Sequence, residues 1–126
     1  MSVYVSLDWP PTGNHCYTVA RGRKILATQG RRYRDEAILR IKEQAAGKRV
    51  EGRLRVQIIV NPPDKRARDL DNLIKLPLDC LQKAGVIVND AHIDELTVQR
   101  LHPCLDGLMQ IYISEIQPPS AAGRVG

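Results

Sequence analysis

Two proline pairs limit what this chain can become. Val3, Val5, Leu7 and Trp9 alternate with polar neighbours up to Pro10-Pro11, and Leu54, Val56, Ile58 and Val60 do the same up to Asn61-Pro62-Pro63. A period of two sends successive side chains to opposite faces, so each run is a strand with one apolar side. Proline has no N–H to offer a ladder, and neither strand continues past its pair. Strands are therefore expected over residues 2 to 9 and 54 to 60, each needing a partner layer to cover its apolar side.

The intervening segments supply that layer. Residues 15 to 20 and 23 to 28 flank Arg21-Gly22 and read as a short basic hairpin. From Thr28, the expected N-cap, Tyr33, Ala37, Ile41 and Ala45 recur every four residues as far as Gly47, which predicts a first helix. Leu70, Leu73, Ile74, Leu78 and Leu81 mark the inner face of a second helix that starts near Asp71 and closes at Gly85. Pro77 falls just past its first turn, removes the bond to the Leu73 carbonyl, and predicts a kink. Val86, Ile87 and Val88 form a short buried run, and Asn89-Asp90 interrupts it before a strand at about 93 to 102. Asp106-Gly107 reads as a hairpin turn into a last strand with Met109, Ile111 and Ile113 on one face. The order implies an α+β fold: a small mixed β-sheet with two packed helices, in one domain over residues 1–117. The terminal residues 118–126 are expected to be a disordered tail.

Nineteen Lys and Arg against fourteen Asp and Glu give a net charge of +5, which points to a polyanionic partner. With one Trp, four Tyr and no Phe, platforms for stacked bases are scarce, so a nucleic acid would be read through its backbone and shape. No apolar run approaches the ~20 residues of a membrane span, and MSVYVSLDWPP lacks the basic start of a signal peptide, so a soluble, cytoplasmic protein is expected. Cys16, Cys80 and Cys104 are odd in number and contain no CxxC, which argues against a disulfide framework and a zinc knuckle. Cys80 falls within the helical apolar pattern and is expected in the core.

Asp69 and Asp71 flank Leu70 at the entrance of the second helix, and from an extended segment both carboxylates point the same way. The helix is expected to return the chain so that Asp90 lies near its entrance. Three carboxylates with open positions suit Mg²⁺, with Mn²⁺ able to substitute. Helix capping is the competing explanation for one of the pair, though not for both. Lys75, one turn beyond Asp71, is either half of a surface ion pair or a cation that counters charge on a reacting phosphate. Asn72 caps the helix or orients a carboxylate. Lys65, Arg66 and Arg68 in the preceding loop face phosphates, unless they are simply a solvated basic loop.

The stretch PDKRARDLDNLIKLPLDCLQKAGVIVNDAHIDEL, residues 63 to 96, closely resembles the RusA family of Holliday junction resolvases, small enzymes of bacteria, phages and prophages. DWPPTGNHCY is similar to that family's N-terminal WPP segment. The resemblance implies that Asp69, Asp71 and Asp90 are metal-binding catalytic carboxylates, that Lys75 is the catalytic lysine, and that Arg68 is the basic residue beside the first aspartate. Pro77 and Asn89 depart from the family pattern. The implied protein is a homodimeric, Mg²⁺-dependent endonuclease that nicks two strands symmetrically at a four-way DNA junction, in recombination and repair in the bacterial cytoplasm. A broader structure-specific nuclease acting on forks or flaps, and a non-catalytic junction-binding protein, are the alternatives.

Overall fold

The computed structural model describes residues 1–11 and 15–117, and the expected disordered tail, 118–126, lies outside the described residues. Strand β1 (Ser2–Leu7) is followed by the hairpin β2 (Tyr17–Ala20) and β3 (Arg23–Leu26), then helix α1 (Thr28–Ala45) and strand β4 (Leu54–Asn61). Helix α2 (Lys75–Lys83) and strands β5 (Ile93–Arg100) and β6 (Leu108–Glu115) complete the order. The main sheet runs β1-β6-β4-β5, with β6 antiparallel to both neighbours and β5 parallel to β4, so the fold is α+β with a mixed sheet and two helices.

The alternation read from the sequence sorts the two sheet faces. Val3, Val5, Leu7, Val56, Ile58, Val60, Ile111 and Ile113 are buried, and Ala37, Ile41 and Ala45 of α1 join the same core with Cys80 and Leu81 of α2. Each large apolar side chain so covered contributes about 1.5–3 kcal/mol. Tyr4 and Tyr112, one residue out of phase, stack on the opposite face with ring centroids 4.7 Å apart. Burial pushes the Cys80 thiol up to about 12, so it sits in the core as a neutral, inert group. Among the described residues no helix is long and apolar enough to cross a membrane.

Several local expectations change. Ala27, not Thr28, holds the N-cap position of α1, and the Thr28 hydroxyl accepts from Arg31 Nη2 at 3.2 Å instead of capping. The second helix is not one kinked helix: a 3-10 turn spans Leu70–Leu73, and α2 starts afresh at Lys75. Pro77 explains the break, because a continuous helix would set its ring against the Leu73 carbonyl, whereas in a first turn its missing N–H costs nothing. Leu78 N–H then makes the bond to the Ile74 carbonyl at 3.3 Å. Val88 is half exposed, so the buried run stops at Ile87.

Asp106-Gly107 does turn the chain, with φ of 64° and 74°, but it joins no hairpin. β5 and β6 lie on opposite sides of β4, and the connection between them crosses the end of β4, pinned where Leu101 N–H meets the Val60 carbonyl and Cys104 N–H the Pro62 carbonyl, both at 2.9 Å. Local turn chemistry was readable; the strand inserted between the two was not. The crossing loop carries Gly107 against Trp9, where a Cβ would stand 2.8 Å from the Trp9 Cβ and 3.1 Å from Pro63 Cδ. The segments that follow β1, β4 and β5 thus meet at one end of the sheet.

Gly107→Ala should cost about 2 kcal/mol, combining a left-handed backbone with overpacking against Trp9. Gly22→Ala, with φ of 75° and nothing within 4 Å of its Cβ, should lose only about 1 kcal/mol. Urea unfolding of the two variants separates these costs, and equal midpoints would show that the Trp9 contact adds nothing.

Candidate active site

The loop after β4 is folded by one carboxylate. Asp64 accepts the Arg66 N–H at 2.9 Å and pairs with Arg68 Nη2 at 2.9 Å and with Arg66 Nε at 3.5 Å. These donors, the Arg66 N–H first, hold the Asp64 carboxyl below the usual carboxylate range. Arg68 Nη1 donates to the carbonyls of Asp64 and Arg66 at 3.2 and 3.3 Å, and its guanidinium lies 5.6 Å from the Trp9 ring centroid. The Arg68 side chain is only 16% exposed against 83% for Arg66. Arg68 is therefore a strut that joins the loop to the WPP segment, while Lys65 and Arg66 face outward. Arg100, from the end of β5, donates to the Arg68 carbonyl and ties the same loop to the sheet.

Asp69 leaves this loop in an extended conformation, φ −81° and ψ 127°, immediately before the 3-10 turn. Its side chain makes no capping bond, so capping does not account for Asp69, while Asp71 lies in the first turn of the 3-10 helix, where an acidic residue suits the helix dipole. Asp69, Asp71 and Asn72 are exposed, while Leu70 between the aspartates packs against the core as an anchor. Lys75 opens α2 and is exposed. The ion pair it would make with Asp71 in a continuous helix does not form, because the backbone is broken between them. Among the described residues no Lys, Arg or His stands within ion-pair distance of Asp69, Asp71 or Asp90.

Asp90 begins a second 3-10 turn, Asp90–His92. Its N–H donates to Gln82 Oε1 at 3.2 Å, and Asn89 Oδ1 caps the turn by accepting the Ala91 N–H at 2.8 Å. That gives Asn89, a departure from the family pattern, a structural task. The expected approach of Asp90 to the acidic pair is corrected by strand direction. Because β5 is parallel to β4, with Leu54 opposite Ile93 and Val60 opposite Arg100, α2 must carry the chain back along the strand before β5 begins. Asp69 follows the far end of β4 and Asp90 precedes the near end of β5, on the order of 20 Å away at ~3.3 Å per residue. In keeping with this, among the described residues no three His, Cys, Asp or Glu side chains gather closely enough to hold one ion.

A cleft of about 640 Å³ opens between the acidic segment and the hairpin, with Asp69 and Asn72 on one wall and Tyr17, Val19 and Lys24 on the other. Sequence reasoning missed Asp64, Trp9 and Lys24 as parts of this site. The Asp64-x-Arg66-x-Arg68 spacing is a signal for the first, since Asp commonly accepts a backbone N–H two residues on. Nothing local marks Trp9, whose partners are distant in sequence.

Comparison with known proteins places these residues in context. The chain matches the family described as Endodeoxyribonuclease RusA over residues 8–114. It is 33% identical over 113 residues to the crossover junction endodeoxyribonuclease of Enterobacteria phage 82, covering 90% of this chain and 94% of that protein. It is likewise 33% identical over 117 residues to the crossover junction endodeoxyribonucleases of Shigella sonnei strain Ss046 and Escherichia coli strain K12, covering 92% of this chain and 98% of each relative.

Removing the strut should be a stability change before it is a binding change. Arg68→Ala is expected to lower unfolding free energy by about 1–3 kcal/mol, through lost charge-assisted bonds and the Trp9 contact. Arg66→Ala, exposed and loosely paired, should change it by less than about 0.5 kcal/mol. Thermal melts distinguish them, and indistinguishable variants would remove Arg68 from the loop's support.

Proposed function

The chain belongs to the RusA family of endodeoxyribonucleases, and from that premise we propose that it resolves four-way DNA junctions by paired symmetric nicks, in recombination and repair in the bacterial cytoplasm. The observation that carries the reading is the exposed Asp69/Asp71 pair, with no ion-pair partner among the described residues and with Asp69 lining the cleft, on a chain of net charge +5. Uncompensated carboxylates are a poor surface for DNA unless a cation covers them. Their hard oxygen donors fit Mg²⁺, with Mn²⁺ as a substitute, and Asp69, Asp71 and Asp90 would hold it. When bound, such an ion polarises the scissile phosphate and lowers the pKa of an attacking water.

The remaining groups have separable tasks. Lys75 presents its ammonium at the start of α2, close in sequence to the acidic pair, and offsets negative charge developing on the phosphate oxygens. Lys65 and Arg66 hold the sugar-phosphate backbone, which positions the strand without reading its bases. Arg68, expected beside them as a phosphate contact, acts by shaping the loop that presents them. Asn72 orients the strand from the cleft wall.

The distance of Asp90 from the acidic pair supports a site shared with a second copy. In a homodimer, Asp90 of the partner subunit completes the set begun by Asp69 and Asp71, and the twofold axis generates two equivalent sites for the two equivalent strands of a junction. β5, an outer strand of the sheet with Leu96, Leu101 and Leu105 exposed along and beyond it, supports an interface at this edge.

Complementation tests the shared site. Asp71→Asn and Asp90→Asn homodimers should each bind a labelled four-way junction and fail to cut it with Mg²⁺. A co-expressed mixed dimer carries one site with both defects and one with neither, and should regain a single nick per junction. If the mixed dimer binds and remains silent, each chain uses its own Asp90; if Asp71→Asn alone is fully active, the metal assignment is wrong. Equal wild-type cleavage of forks, flaps and junctions would instead favour the broader nuclease.

A further inference from the structure

The hairpin takes no part in the main sheet, yet its base is built rigidly. Ala27 N–H donates to the Cys16 carbonyl at 2.8 Å, and Arg31 Nη1 donates to the Leu26 carbonyl at 2.7 Å. The first turn of α1 lies so close that a Cβ on Gly30 would meet the Cys16 carbonyl oxygen at 2.3 Å. Tyr17 and Leu26 pack against the core, and the antiparallel register places Val19 and Lys24 on the same hairpin face as that pair. This face lines the cleft opposite Asp69 and Asn72. The Lys24 ammonium stands 4.6 Å from the Tyr17 ring centroid, and among the described residues no carboxylate pairs with it. A cation–π contact limits where the ammonium sits while leaving its donors available.

We propose that the β2–β3 hairpin is the second wall of the strand-binding cleft, with Lys24, steered by Tyr17, contacting a backbone phosphate of the DNA strand presented to Asp69 and Asp71. The inference rests on the reading of the chain as a DNA junction endonuclease and adds a contact to it. Lys24 carries positive charge and has no lone pair to offer a metal, so its task differs from that of the opposite wall. A strand running between the walls meets the metal-binding side on one flank and a fixed ammonium on the other, which sets its depth in the cleft. The hairpin thereby acts on strand position, while the bond-breaking groups remain those of the opposite wall.

Junction binding measured without divalent metal over a range of salt isolates this contact. Lys24→Gln should weaken binding about tenfold and lower the slope of log affinity against log salt by about 0.9. Lys24→Arg should recover most of the affinity. Lys42→Gln removes the same charge from the last turn of α1 and should change binding less than about twofold if local contact rather than net charge matters. Unchanged affinity in Lys24→Gln, an equal loss in Lys42→Gln, or no recovery with Lys24→Arg would each overturn the hairpin wall. Cleavage by the wild-type chain with Mg²⁺ is scored separately: its failure sinks the resolvase reading, whereas cleavage with an unaltered Lys24→Gln sinks only the hairpin's role.

Discussion

The parallel pairing of β4 with β5 decides where the acidic residues of this chain lie. Parallel neighbours cannot be joined by a tight turn, so the chain must travel the length of the strand before pairing again. Here the 3-10 turn and α2 make that journey. The same requirement that lets β4 lie fully inside the sheet, with β6 on one side and β5 on the other, separates the acidic pair from Asp90. The build of the sheet and the position of Asp90 relative to Asp69 and Asp71 are therefore set by one hydrogen-bonding pattern. Reversing β5 to bring Asp90 beside Asp69 would move its inward residues out of register with the core.

What could be read from the sequence was what depends on near neighbours. Strand alternation in Val3–Leu7 and Leu54–Val60, the four-residue spacing of α1, and the Arg21-Gly22 turn all survive, because each is fixed by backbone period or by a positive φ. Of the acidic pair, Asp69 leaves its loop in the extended conformation that the spacing suggested, whereas Asp71 lies inside the 3-10 turn. The break at Ile74 was half visible: Pro77 announced a disturbance, but whether a proline kinks a helix or starts a new one depends on how well the preceding turn packs. Leu73, buried where the 3-10 turn ends, holds that turn in place.

Placement across distant elements was not legible. Asp106-Gly107 carries a turn signal whether the following strand pairs with its predecessor or passes beyond it, and what decides between them is that β6 fills the edge of β4 opposite β5. Arg68 shows the same limit for function. In the sequence it is one more cation in a basic loop, while in the fold Asp64 and Trp9 occupy its guanidinium and leave Lys65 and Arg66 to face solvent. A positively charged run is thus split by a single acidic residue into a structural and an available part.

Charge compensation is uneven over the surface of the fold. Along β4 and β5, Arg53 meets Asp94 at 2.8 Å and Arg55 meets Glu95, its register partner, so these exposed charges offset each other across the strands. Asp64 is likewise satisfied by its two arginines. Among the described residues Asp69 and Asp71 have no such partner, and neither do Glu36, Glu43, Asp79 or Asp106, so what sets the pair apart is its place: two exposed carboxylates, two residues apart, where the loop shaped by Asp64 and Arg68 ends. On the proposed reading, a cation held by Asp69 and Asp71 in the folded state and not in the unfolded chain would stabilise the loop by mass action.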